Sequence, residues 1–291
     1  MKNYFSHISL SSSSKDKRII PIATQIFEIL SNAGVKLSFD KSLLALEKIT
    51  KTKSKSEGYI IKNSQLLIAI GGDGTMLNCS RKFGSKGLRV LGINLGKVGF
   101  LTDIAPEEVT AKLLEIINGK FIEDKRFFLE ATLQGSKSSS MALNEVVIHS
   151  GAIAQLIEFD LFIDDNFVYR QKADGLIIST PTGSTAYSLS GGGPIVYPDL
   201  DVITLSPMFP QSNNTSPLVV SANSNIRVDI VNKKLKSHVS FDSHDSLTFK
   251  GSNQIKIIKS SSELLLVHPK DHDFFKGCRN KLGWSSGINK P

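Results

Sequence analysis

Leu66-Leu67-Ile68-Ala69-Ile70-Gly71-Gly72-Asp73-Gly74-Thr75 is the stretch that decides the fold. An unbroken apolar run of this length reads as a strand covered on both faces. It ends in three glycines around one carboxylate, and a helix-compatible segment starts at Met76. Glycines at a strand-to-helix turn let the backbone approach a ligand, and successive N–H groups there can cradle phosphate. An acid in that position faces anionic phosphate, which is unfavourable unless a metal or a proton transfer uses it. Asp73 is therefore the first functional candidate.

Outward from this turn, the first 120 or so residues alternate between helical and strand-like patterns. Ile22, Ile26, Ile29 and Leu30 recur at helical spacing, and Gly34 closes that helix. A short strand follows at 35–39, and Leu43, Leu44 and Leu46 read as a short helix. Arg89 to Asn94 is a strand running into a second glycine loop, 92–103. Pro106 opens a helix whose apolar face is Val109, Leu113, Ile116 and Ile117. This βαβα rhythm predicts a doubly wound parallel α/β domain. From about Phe121 the pattern becomes short strand-like runs at 127–133, 141–149, 156–163, 167–171, 175–180, 226–231, 255–258 and 264–268. Asp164-Asp165-Asn166 supplies hairpin turn chemistry, and 184–190 reads as the helix of this half. The chain thus divides at about 121/122 into an α/β domain (1–121) and a β-rich, sandwich-like domain (122–270). A tail, 271–291, is expected to pack back on the first.

The 291 residues are 40% hydrophobic and 21% charged, an ordinary globular composition. A net charge of +8 favours anionic partners. The lysines at 51–55 lack the interleaved aromatics of a nucleic-acid platform, so no nucleic-acid partner is expected. Cys79 and Cys278 form no Cys-x-x-Cys pair, which fits a reducing cytoplasm. No apolar run reaches the roughly 20 residues that span a bilayer, and 1–20 lacks a signal-peptide core. No membrane partner is expected, and the protein reads as cytoplasmic. His149, His244 and His268 read as structural histidines, with no protein-held metal.

Three further motifs add chemistry. Asn144-Glu145 opens an apolar segment, and an amide beside a carboxylate can grip a ribose diol with both donor and acceptor groups. A polar pair at a strand entry is otherwise a solvated edge. The stretch 173–190 is rich in small hydroxyl residues and poor in bulky ones, which leaves room for a ligand. The loop 92–103 is the second glycine-spaced loop to follow a strand.

Taken together, Gly71 to Thr75, Gly99-Phe100-Leu101-Thr102-Asp103, Asn144-Glu145, Asp174-Gly175, Pro181 to Tyr187 and Pro207-Met208-Phe209-Pro210 resemble the NAD kinase family, close to its Gram-negative bacterial branch. The glycine-aspartate loop alone is shared with lipid kinases. The resemblance implies an active site between the two domains and phosphorylation of the adenosine-ribose 2′-hydroxyl of NAD by ATP to give NADP. It assigns Asp73 as general base, with Gly71, Gly72, Gly74 and Thr75 as the phosphate loop. It assigns Asp73, Gly74, Asn144, Glu145, Gln155, Lys172, Asp174, Thr185, Ala186, Tyr187, Ser188, Leu189, Ser190 and His244 to NAD binding. It further implies Mg2+ or Mn2+ arriving with ATP, and a homo-oligomer, dimer or tetramer. The chain departs from the branch pattern at Lys172, where Arg is usual, and at His244, where Gln is common. It departs again at Leu95, a commonly polar position, and at Ser216, usually Arg.

Overall fold

The computed structural model describes residues 3–96, 99–151, 155–212, 215–231, 237–243, 245–248 and 254–284. The chain forms two compact units, Met1–Lys125 with Leu264–Pro291, and Arg126–Glu263.

In the first unit, four parallel strands lie in the order Lys36–Phe39, His7–Ser11, Leu66–Ile70, Arg89–Ile93. Leu266 of the long strand Gln254–Pro269 pairs in parallel with Val90. Leu66 to Ile70 are all buried, as a parallel strand covered on both faces must be. The helix Ile19–Asn32 buries Ile19, Ile22, Ala23, Ile26 and Leu30 along one stripe. Full burial of side chains such as Ile26 and Leu30 contributes roughly 1.5–3 kcal/mol each, and they share a core with Leu10, Ile68 and Ile93. Gly34, at φ +76°, turns the chain out of that helix. Helices Glu57–Asn63, Asp73–Lys82, Val109–Ile117 and Phe274–Leu282 complete the unit.

The second unit is built from antiparallel strands. One sheet runs Leu218–Ser221, Val202–Met208, Gly175–Ser179, Glu145–His149, His238–Phe241, Asp245–Thr248. Another contains the hairpin Ile157–Ile163 and Asn166–Ala173, with Ile226–Ile230 beside it. Asp164 and Asp165 hold positive φ in that hairpin turn, the conformation a two-residue type I′ connection needs. Val146, Ile148, Leu176 and Ile178 of the first sheet share one core with Phe159, Leu161, Val228 and Ile257 of the second. This sheet-on-sheet packing matches the sandwich-like expectation.

Several local expectations need correction. His7–Ser11 is a fully buried strand whose Ser9 hydroxyl bonds Ser38 and Ser64 at 2.6 Å each, polar content that masked it. Leu43 ends a 3-10 turn, Lys41–Leu43, and Leu46 begins a short helix, Leu46–Thr50, with Leu44 and Ala45 between the two. The runs at 255–258 and 264–268 are one strand, Gln254–Pro269. The run 141–149 is two strands, Ser140–Ala142 and Glu145–His149, and the tail contains a helix, Phe274–Leu282. Residues 184–190 are not one helix: a 3-10 turn, Thr182–Thr185, is separated from a single helical turn, Tyr187–Ser190, by Ala186 at φ −103°, ψ −129°. Among the described residues no helix is long and apolar enough to cross a membrane.

Candidate functional site

In the first unit the strand order reverses between His7–Ser11 and Leu66–Ile70, and open α/β sheets bind ligands beyond the strand carboxyl ends at such a point. The glycine turn stands there. Gly71 holds φ +154°, and a Cβ on it would lie 2.7 Å from the Thr75 Cβ, so only glycine fits. Its N–H donates to Ile93 O at 2.9 Å. Gly72 is the extended N-cap of the helix Asp73–Lys82, and Asp73 is its first residue. An acid in the first turn is favoured by the partial positive charge of a helix N-terminus.

The second glycine loop holds this carboxylate. Phe100 N donates to Asp73 Oδ2 at 3.0 Å, and Leu101 N to Oδ1 at 3.1 Å. Thr102 Oγ1 stands 3.4 Å from Oδ1 and itself accepts from the buried Asn94 Nδ2 at 2.8 Å. Lys281 Nζ lies 3.9 Å from Oδ2, and the Asp73 side chain keeps 34% of its surface exposed. The carboxylate is therefore oriented by backbone donors yet open to a ligand. Thr75 is buried, its hydroxyl bonded to Ser13 Oγ at 3.2 Å, while Gly72 and Gly74 are exposed.

Beside the loop, Asp103 contacts His268 Nδ1 and lies 3.0 Å from His272 Nδ1. Burial disfavours charge on His268, but Asp103 and Asp124 outweigh it and raise its pKa to about 9. Burial likewise acts against the Asp103 charge, and the two histidines reverse this, holding its carboxyl well below the usual range.

In the second unit Asn144 and Glu145 are buried at the start of Glu145–His149. Asp242, at φ +47°, clamps them from below. Its carboxylate accepts from Leu143 N at 3.0 Å, Asn144 N at 2.8 Å and Glu145 N at 3.2 Å. Desolvation, then the Asp242 charge, raises the Glu145 pKa to about 8, opposed by the Tyr187 backbone amide. Asn144 Oδ1 and Glu145 Oε2 are buried without a hydrogen-bond partner among the described residues. Buried polar atoms are seldom left so, and ligand hydroxyls would satisfy them. The 3-10 turn Thr182–Thr185 packs on the same spot: a Cβ on Gly183 would stand 2.7 Å from Asn144 Cα, and Thr180 N donates to Asn144 O at 2.9 Å.

The structure thus joins Asn144 and Glu145 to the turn carrying Thr185, Ala186 and Tyr187, with Ser188 buried, Leu189 half-buried and Ser190 exposed. Asp174 stands apart from Glu145. Gly175 pairs with His149 while Ser179 pairs with Glu145, so Asp174 lies at the opposite end of that strand pair. Lys172 is exposed on Asn166–Ala173, and Gln155 is half-buried just before Ile157–Ile163. His244 lies outside the described residues. The Leu95 carbonyl accepts from Arg18 Nη1 at 2.6 Å, so this departure is anchored through backbone.

Sequence reasoning did not single out Asp242, Lys281 or His272. Asp242 acts on backbone amides nearly a hundred residues away, which leaves no local pattern. His272 did carry a signal, since His268 and His272 are four residues apart.

A parallel sheet with a glycine-aspartate turn at its switch point, joined in one chain to a β unit with a buried Asn-Glu pair, defines a nucleotide-binding protein of the α/β class. Residues 10–121 match the ATP-NAD kinase N-terminal domain, and residues 143–269 match the ATP-NAD kinase C-terminal domain. The chain belongs to the NAD kinase family. It is similar to the NAD kinase of Teredinibacter turnerae, 47% identical over 76% of this chain and 77% of that one. It is also similar to that of Salmonella choleraesuis, 37% identical over 99% of this chain and 100% of the relative. Among solved structures it resembles yeast NADH kinase complexed with NADH, at TM-score 0.86 and 26% identity over 98% of this chain and 90% of that one. It resembles an Archaeoglobus fulgidus NAD kinase in complex with ATP at TM-score 0.73 and 27% identity, covering 97% of this chain and 100% of that one.

Proposed function

We propose that this protein transfers the γ-phosphoryl group of ATP to the 2′-hydroxyl of the adenosine ribose of NAD, giving NADP and ADP, with Asp73 as general base. A ribose hydroxyl is a weak nucleophile until a positioned acceptor receives its proton as phosphoryl transfer proceeds. In the step, the 2′-oxygen bonds to the γ-phosphorus, the bond to the β,γ-bridging oxygen breaks, and the hydroxyl proton passes to the Asp73 carboxylate. The observation that carries the role is the fixed orientation of Asp73 by the Phe100 and Leu101 amides at the sheet's switch point.

Gly71, Gly72, Gly74 and Thr75 present the backbone turn to phosphate, and Mg2+ or Mn2+ enters as the metal–ATP complex, so no protein cage is required. Asn144 and Glu145 bind NAD hydroxyls with their unpartnered oxygens, and Thr185 to Ser190 wall the ligand. Gln155, Lys172, Asp174 and His244 are further NAD contacts in this reading. The protein acts in the cytoplasm as a homo-oligomer. A coupled NADP-formation assay tests the reading. Asp73→Asn should lose roughly 10²–10⁴-fold in kcat, and near wild-type turnover in that variant would remove Asp73 from the role.

A further inference from the structure

Asp103, His268 and His272 bring one carboxylate oxygen and two imidazole nitrogens within 4.8 Å of one another. Both histidines turn Nδ1 toward the same oxygen, Asp103 Oδ2, at 3.0 Å from His272 and in direct contact with His268. The two rings stack with centroids 4.0 Å apart. Behind the buried His268 ring, Nε2 faces Asp124 Oδ2 at 3.6 Å. This is the arrangement of a metal-ligating imidazole, whose second nitrogen is directed at a carboxylate that fixes the ring. On the other side, Asp103 and His272 line a cavity of about 150 Å³, through which water can supply a further ligand.

We propose that Asp103, His268 and His272 form a binding site for a divalent transition metal, Zn2+ by donor chemistry, that ties the loop holding Asp73 to the segment leading into the C-terminal helix. Two imidazole nitrogens, one carboxylate oxygen and a water make a tetrahedral set suited to Zn2+. Hard Mg2+ and Ca2+ prefer oxygen ligands alone, so the site is distinct in kind from the metal that accompanies ATP. Coordination at about 2.0–2.2 Å from nitrogen and oxygen replaces the direct contacts of Asp103 with the two rings, the Nδ1 protons that bridge them being released to solvent and the carboxylate drawing back to admit the ion. Asp103 directly follows Thr102 and closes the segment whose Phe100 and Leu101 amides grip Asp73. His268 is at the end of the strand Gln254–Pro269, and His272 directly precedes Asp273, the N-cap of Phe274–Leu282. The ion therefore acts as a clamp between these segments and takes no part in the phosphoryl step.

The test uses the full chain, stripped with a chelator and titrated with Zn2+ against a chromophoric chelator in excess Mg2+. One Zn2+ per chain should bind, the melting temperature should rise with Zn2+ concentration, and Co2+ in its place should give the intense visible bands of a tetrahedral ion. Asp124→Asn should weaken Zn2+ binding by roughly 10–100-fold, and His272→Gln and Asp103→Asn by more. His272 is part-exposed, so His272→Gln is the variant expected to keep its fold, checked by circular dichroism. Substoichiometric Zn2+, unchanged affinity in folded His272→Gln, or displacement by Mg2+ would each overturn the proposal. NADP formation is not a readout, so the outcome stands apart from that of the phosphotransfer reading.

Discussion

Gly99 lies against the Asp73 carboxylate so closely that a Cβ at position 99 would overlap Oδ1 and stand 2.7 Å from Cγ. The same residue donates its N–H to Thr102 Oγ1 at 3.0 Å, so backbone and carboxylate are both committed to this approach. Gly99→Ala cannot be absorbed at a flexible chain end. Either Asp73 turns away from the Phe100 and Leu101 amides or the loop shifts. Misplacing a reacting group by about 1 Å costs on the order of 10²-fold in rate, so kcat for NADP formation should fall by that order. The fold should persist, because residues 99–102 are not part of the apolar cluster that Leu10, Ile26, Ile68 and Ile93 form. Steady-state kinetics beside a thermal melt checks this, and unchanged kcat would show that the 99–102 loop does not orient the base.

Asp242 is the support under the Asn144-Glu145 pair. Asp242→Ala leaves three buried amides without their acceptor, and each unsatisfied buried group costs about 1–3 kcal/mol. Asp242→Asn keeps one acceptor oxygen and should cost less. The KM for NAD should rise more than kcat falls, since the clamp acts on the binding pair and not on Asp73. A urea denaturation series with paired kinetics separates these, and an equal loss in kcat and kcat/KM would contradict it.

Glu145 gives a pH signature. Its folded pKa is raised above the ordinary 4.5 to about 8, by desolvation first and by Asp242 second. The folded state therefore holds a proton that the unfolded chain has released between those two values. Stability from this group is fully present below about 4.5, declines as pH rises toward about 8, and is flat above. A protonated Glu145 can also donate to a ligand oxygen, so NAD affinity should fall as pH passes about 8. Glu145→Gln, neutral throughout, should flatten both curves. Urea midpoints measured across this range, with NAD titrations in parallel, test the sign, and an upward slope in the wild type attributable to this residue would refute it.

How legible each of these features was follows from its physics. Leu66 to Ile70 announced itself because a strand covered on both faces, with no internally paired polar residue in it, reads as one continuous apolar run. Leu218–Ser221 and Asp245–Thr248 are short edge strands, and Val202–Met208 carries Pro207, which weighs against a strand reading. His7–Ser11 escaped because its buried serines find polar partners on other segments, Ser9 on Ser38 and Ser64 and Ser11 on Asp40, so Ile8 and Leu10 alternate with polar residues and form no continuous apolar run. The glycine turn and the Asn-Glu pair were readable as chemistry, each from adjacent residues. The 92–103 loop was readable as a second glycine-spaced loop, but its grip on Asp73, like that of Asp242 on the Asn-Glu pair, was not, because both contacts act across long sequence separations through backbone amides that nearly every residue possesses.

Gly74 separates what the turn does for the fold from what it does for a ligand. A Cβ at Gly71 would collide with the Thr75 side chain, so Gly71→Ala should destabilise the protein irrespective of any ligand. At Gly74 a Cβ meets nothing within 4 Å, and the residue sits inside the helix Asp73–Lys82. Alanine there is favoured over glycine by roughly 0.5–1 kcal/mol, so Gly74→Ala should raise the melting temperature slightly. If the exposed turn exists to let phosphate or ribose approach the backbone, the added methyl occupies that space, and the KM for NAD or ATP should rise although the apoprotein is more stable. Opposite movement of stability and affinity in one variant is a result that a structural role for Gly74 cannot produce. Unchanged KM values in Gly74→Ala would mean that no ligand closely approaches position 74.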